Sequence, residues 1–171
     1  MKLSGRIFLC LVILSLPLTL SAKSLELVAA ESISSEPISD EAYWSIQTSV
    51  LTKHFNPKPE HNNHQELIGI ERNSKNRYLW GGATFLNSFD QRSYYIYVGK
   101  RFDFANTPFY SKLTVGFIHG YKGEYRDKIP FNNLGIAPVI LPSVGIKFKK
   151  VQAEAILLGA NAMTITVGFK I

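Results

Sequence analysis

At 171 residues and 46% hydrophobic content, the chain has room for one domain and hardly two. Its formal charge of +6 is scattered along strand-like segments and loops, which argues against a nucleic-acid binder. In an exported protein, anionic lipid headgroups are the partner such a charge suits. The only cysteine, Cys10, lies in the N-terminal apolar segment, so a processed chain has neither a disulfide nor thiol chemistry.

Lys2 and Arg6 precede an apolar run from Ile7 to Leu20, and Ser21-Ala22 then supplies small residues where a signal peptidase can cut. The run is about 14 residues, short of the roughly 20 that cross a bilayer as a helix. Residues 1–22 are therefore read as a cleaved signal peptide, with a later cut after Val28-Ala29-Ala30 also open. Loss of Lys2 and Arg6 lowers the charge to +4. Neither cut is followed by a cysteine, so no lipoprotein anchor is expected. Residues 23–41 (KSLELVAAESISSEPISDE) are acidic and serine-bearing and are expected to form a flexible arm, with a short helix near Leu25 to Ala30.

From residue 42 onward, alternation of apolar with polar or small residues dominates, the period-2 mark of strands with two unlike faces. Strands are predicted over Tyr43 to His54, Glu66 to Arg72, Tyr78 to Leu86, Ser93 to Phe102, Phe109 to His119, Ile136 to Phe148, Val151 to Leu158 and Ala162 to Ile171. In the first, Trp44, Ile46 and Val50 share one side, while Ser45, Gln47 and Ser49 share the other. The sixth carries Pro138 and Pro142, which cannot donate to a ladder and need an edge, a bulge or a local opening. The last alternates Met163, Ile165, Val167, Phe169 and Ile171 against Thr164, Thr166, Gly168 and Lys170. The expected fold is all-β: an eight-stranded antiparallel transmembrane β-barrel over residues 42–171, with Lys112, Lys147, Lys170, Arg101 and Glu154 on inner faces. A soluble sandwich shows the same alternation with its apolar face inside. The signal peptide, the apolar alternation at the C-terminus and the aromatics near strand ends favour the barrel. Eight strands enclose little more than side chains or one small ligand, so a general pore is not expected.

The order and spacing of several elements between Thr48 and Ile171 resemble the outer-membrane lipid A palmitoyltransferase (PagP-like) family. His54, after Val50-Leu-Thr-Lys, falls where that family has its catalytic histidine. Phe85-Leu-Asn-Ser-Phe resembles the family's Phe-x-Asp-Ser-Trp, with Ser88 on the family serine and Asn87 in place of its aspartate. Gly99 matches an interior glycine at the floor of the family's acyl pocket. The run from Lys128 to Gly145, with Pro138 and Pro142, resembles the family's proline-containing strand, where weakened lateral bonding lets lipid enter.

The resemblance implies a monomeric bacterial outer-membrane enzyme that moves a palmitoyl-type chain from a phospholipid to lipid A or another lipid acceptor. His54 and Ser88 would carry the chemistry, Asn87 or Asp90 would assist, Gly99 would line the acyl pocket, and Pro138 and Pro142 would mark the lipid entrance. Neither a cofactor nor a metal is implied; His61-Asn-Asn-His64, near His54 and Glu60, lacks the spacing on an ordered element that zinc sites use. Asparagine cannot stabilise an imidazolium as a carboxylate can, so a non-enzymatic lipid-binding or structural barrel stays open beside the enzyme. Asn87-Ser88-Phe89-Asp90 also reads as an ordinary turn.

Overall fold

The computed structural model describes residues 41–171. The segment read as a signal peptide and nearly all of the expected acidic arm lie outside the described residues. Eight strands close into an antiparallel barrel in sequence order. They are β1 (Tyr43–His54), β2 (Ile68–Asn73), β3 (Tyr78–Leu86), β4 (Arg92–Asp103), β5 (Phe109–His119), β6 (Ile136–Phe148), β7 (Val151–Leu158) and β8 (Ala162–Lys170). A 3-10 turn over Gly123–Lys128 interrupts the long β5–β6 loop. One rim, here called upper, carries His54, the 55–67 loop, the 87–91 turn, the β5–β6 loop and the 159–161 turn.

The two barrel surfaces invert the usual arrangement. Outward positions hold exposed apolar residues such as Ile68, Ile96, Phe117, Ile140 and Val144. Inward positions hold charges. Lys112 Nζ lies 3.0 Å from Glu71 Oε2 and 2.8 Å from Glu154 Oε1, and all three residues are buried. Tyr97 donates to Glu71 Oε2 at 3.0 Å, Tyr110 donates to Glu154 Oε1 at 2.8 Å, and Gln47 Nε2 donates to the Tyr97 hydroxyl at 3.1 Å. These groups come from β1, β2, β4, β5 and β7, so they cross the bore from wall to wall. Nearer the lower rim, Asp103 gathers Arg77, Arg101 and Lys147. The bore is filled, as the small strand number requires.

Close approach explains some interior glycines. A Cβ on Gly145 would stand 2.4 Å from Tyr110 Cζ, and one on Gly81 would stand 2.7 Å from the Tyr97 hydroxyl. Each glycine gives its facing tyrosine the room to reach a carboxylate.

Two stretches of wall are paired on one side only. β6 meets β7 from Ser143 to Phe148, while its upper part, Ile136 to Pro142, pairs with β5 alone. The Lys147 N–H points to the β5 side, where it donates to the Pro108 carbonyl at 3.0 Å. Positions alternate along a strand, so residues 138 and 142 aim toward β7. The two prolines therefore remove donors from the flank that has no ladder. Likewise β1 pairs with β2 only from Tyr43 to Thr48, and its upper part pairs with β8.

Candidate functional site

His54 faces the bore because β1 is irregular. Ser45 and Gln47 point inward, and strict alternation from them would turn residue 54 outward. The β1–β8 register shifts between Ser49 and Leu51, and Val50 and Leu51 are both exposed. This bulge takes up one extra residue, so Thr52 and His54 face inward. Two hydroxyls fasten it. Thr164 Oγ1 donates to the Leu51 carbonyl at 3.1 Å, which leaves Thr52 to donate to Thr164 Oγ1 at 2.9 Å.

The buried His54 ring is held from both nitrogens. Nδ1 lies 2.8 Å from Asn63 Oδ1, and Nε2 lies 2.8 Å from Ser88 Oγ. A carbonyl oxygen can only accept, so Nδ1 carries the proton. In the neutral ring Nε2 is then an acceptor, and Ser88 donates its hydroxyl proton to it. The result is a hydroxyl, a base and an orienting amide in series, the arrangement that activates a nucleophile.

Asn63 reaches His54 because its loop is tied to the turn that carries Ser88. The Asn62 N–H donates to the Ser88 carbonyl at 2.9 Å, and the Leu86 N–H donates to the Gln65 carbonyl at 2.7 Å. The Leu67 N–H donates to Ser49 Oγ at 3.1 Å, which holds the loop against the upper part of β1. His61 lies against His54 with centroids 4.3 Å apart and meets Phe89 edge-on. Burial, then the neighbouring His54, pushes the His61 imidazole below its ordinary value. Loop residues such as Asn63 carry no periodicity, so the sequence offered only a polar loop near His54. Replacing Asn63 with Ala is expected to lower any reaction at Ser88 by about 10²-fold through misplacement of the base. Asn63→Asp should restore activity and move the acidic limb of the pH–rate profile upward, because a carboxylate stabilises the imidazolium. A loop that is merely loosened would not shift that limb.

Asn87 does not reach His54; its role is to build the turn. It is fully buried, its Oδ1 accepts from the N–H groups of Phe89 at 2.9 Å and Gln91 at 3.1 Å, and its Nδ2 donates to Ser93 Oγ at 3.1 Å. The single Ser93 proton is directed to the Gln91 carbonyl at 3.2 Å, so Ser93 Oγ offers residue 87 only lone pairs. An amide satisfies that oxygen and leaves the Ser93 proton on Gln91, whereas a carboxylate would draw that proton away from the Gln91 carbonyl. This is a physical reason for asparagine at this position. Asn87→Asp is accordingly expected to destabilise the fold by about 1–3 kcal/mol, as read by denaturant unfolding. Asp90 is exposed at the crown of the turn, with φ of 57°. Both His54 nitrogens are already taken, so Asp90 is not the ring's orienting acid.

Gly99 faces the bore but lies below Tyr95 and Tyr97 on the same strand face. Those rings stack with centroids 4.7 Å apart. A Cβ on Gly99 would be 2.4 Å from the Leu113 carbonyl oxygen and 2.9 Å from Thr114 Cγ2. The glycine serves close wall packing, and Tyr95 stands between it and the upper rim. Part of the interior is an apolar cluster: Leu79, Tyr95, Tyr97 and Ile118 are buried together, and Phe85, Tyr121, Ile129, Val139 and Leu141 pack against them, while Thr52, Ser93 and Thr164 are buried polar residues of the same upper half. Pro138 and Pro142 lie beside this cluster on the one-sided stretch of β6. The structure thus joins His54 with Ser88 at one rim and adds Asn63. Asn87 supports them from behind, and Asp90 and Gly99 lie apart. Among the described residues no three His, Cys, Asp or Glu side chains converge as a metal site. Comparison with known proteins finds neither a family model nor a curated protein that matches this chain.

Proposed function

We propose that this chain is an outer-membrane acyltransferase that moves a palmitoyl-type chain from a phospholipid to lipid A or another lipid acceptor. The observation that carries the reading is the Asn63–His54–Ser88 series, set on the rim above a cluster of apolar side chains. Acyl transfer between lipids needs a base of this kind and an apolar seat for the chain. The apolar outer face with a charged bore suits a barrel seated in lipid. The signal peptide read from residues 1–22 supports export to the bacterial outer membrane. The donor-poor, one-sided flank of β6 beside Pro138 and Pro142 supports lateral entry of lipid.

One observation favours a second reading, a lipid-binding or structural barrel without activity. The side chains of Tyr121 and Ile129 already occupy the mouth by packing on the apolar cluster. The two readings separate on incubation of the purified barrel in detergent with radiolabelled phospholipid and lipid A. The enzyme reading expects label on the acceptor, absent with His54→Ala; no label with the wild-type barrel leaves only the second.

A further inference from the structure

The outer wall of the barrel carries two cations among its apolar residues. Arg72 on β2 shares its face with the exposed Ile68 and Ile70, and Lys100 on β4 shares its face with the exposed Ile96 and Val98. Both are half-buried, and neither is paired with a carboxylate among the described residues. Each lies on aromatic rings instead. The Arg72 guanidinium carbon is 5.5 Å from the Trp44 ring centroid, and Trp44 meets Trp80 edge-on at 5.2 Å. Lys100 Nζ is 5.0 Å from the Tyr78 centroid and 5.7 Å from that of Phe102. Rings position a cation without neutralising it, and its N–H groups stay available to an anion.

The ladder sets these cations on either side of β3, with Arg72 opposite Trp80 and Lys100 opposite Tyr78. A groove in the outer wall begins there. Ser74 and Lys100 line its lower end, and Trp80, Val98, Leu113 and Val115 continue it. One step above Trp80 on the same face is Gly82, between Ile70 and Ile96. A Cβ on Gly82 would meet nothing nearer than 3.6 Å, so wall packing does not demand the glycine. Its bare backbone leaves a trough that extends the apolar surface upward. The rim below is basic. Its turns, residues 74–77, 104–108 and 149–150, hold Lys75, Arg77, Lys149 and Lys150 and neither Asp nor Glu. The upper connections mix both signs, with Glu60, Asp90 and Asp127 beside Lys58, Lys122 and Arg126. Short turns mark the periplasmic end of an outer-membrane barrel, where the leaflet is phospholipid.

We propose that this outer wall of β2 to β5 binds a phospholipid whose headgroup carries net negative charge. The phosphate sits on Lys100 and an acyl chain lies along the groove. Arg72, across Trp80, supplies the second cation. A zwitterionic headgroup would bring its ammonium against two cations on a face without a carboxylate. The inference rests on the membrane-seated part of the proposed function and is independent of the acyl-transfer chemistry.

The test titrates the full barrel in micelles with phosphatidylglycerol and with phosphatidylethanolamine of the same chains. Bound lipid is counted by native mass spectrometry, and folding of each variant is checked by heat-dependent gel mobility. The wild type is expected to hold a single phosphatidylglycerol, preferred about tenfold, and the Arg72→Gln/Lys100→Gln double variant to lose that preference. The Lys149→Gln/Lys150→Gln double variant is expected to keep it. Gly82→Leu fills the trough and should weaken both lipids alike; unchanged affinity overturns the placement of the chain. A folded Arg72→Gln/Lys100→Gln barrel that keeps the preference overturns the site, as does an equal loss with Lys149→Gln/Lys150→Gln, which would mean diffuse charge. Lipid A that displaces phosphatidylglycerol as well as phospholipid does overturns the choice of occupant. A folded, micelle-bound wild type without preference overturns the site alone. A barrel that stays folded and monomeric without micelles overturns the membrane seat as well.

Discussion

Ser88→Ala and His54→Ala should each lower acyl transfer by about 10⁴-fold, and the double variant should be no worse than either single one. The two side chains share one proton across 2.8 Å. Removal of either leaves the other without its partner, so their effects cannot add. The residual rate would come from substrate binding and oxyanion donors alone. Both residues sit at a rim whose backbone is fixed by the β1 bulge and the 87–91 turn, so the variants should keep the barrel's heat-dependent gel mobility. Additive losses would mean that the serine and the histidine act in separate steps.

Replacing Lys112 with Met should cost about 3–5 kcal/mol of stability, the largest loss expected from any single interior change. Lys112 is the cation between Glu71 and Glu154, at 3.0 and 2.8 Å, and none of the three is more than 5% exposed. Methionine fills similar space but leaves two buried carboxylates facing each other. Tyr97 and Tyr110, the tyrosines that reach these carboxylates, are themselves buried, so neither brings bulk solvent to the pair. Urea unfolding in micelles, followed by tryptophan fluorescence, reads the loss. An unchanged midpoint would mean that the bore is wet enough to screen the pair. A triple change of Lys112, Glu71 and Glu154 to apolar residues of similar volume should recover most of it.

Most of the barrel is legible in the chain because its two faces differ chemically at every second residue. The predicted strands end within about two residues of the observed ones, and the inner-face placement of Lys112, Lys147, Arg101 and Glu154 is what the structure shows. The bulge in β1 is not legible. Val50-Leu51 reads as one more apolar step, yet it is the place where the period slips and where His54 is turned inward. The site was half legible. Ser88 and His54 stand out through the family resemblance, but the orienting amide comes from Asn63, 25 positions before the serine in a loop without pattern. Asn87 looked like a weakened acid. Its geometry instead answers to Ser93 and two backbone N–H groups, which no spacing rule encodes. Gly99 is a pocket floor only by family resemblance; in the structure the stacked Tyr95 and Tyr97 lie above it on the same strand face.

The lipid balance of the reaction tests the central claim most directly. The barrel is reconstituted into vesicles of phospholipid and lipid A, and the extracted lipids are counted by mass spectrometry. The account predicts lysophospholipid and acylated acceptor in equal amounts, both lost with Ser88→Ala and His54→Ala. Lysophospholipid without acylated acceptor, or the same products from the two variants, would contradict it.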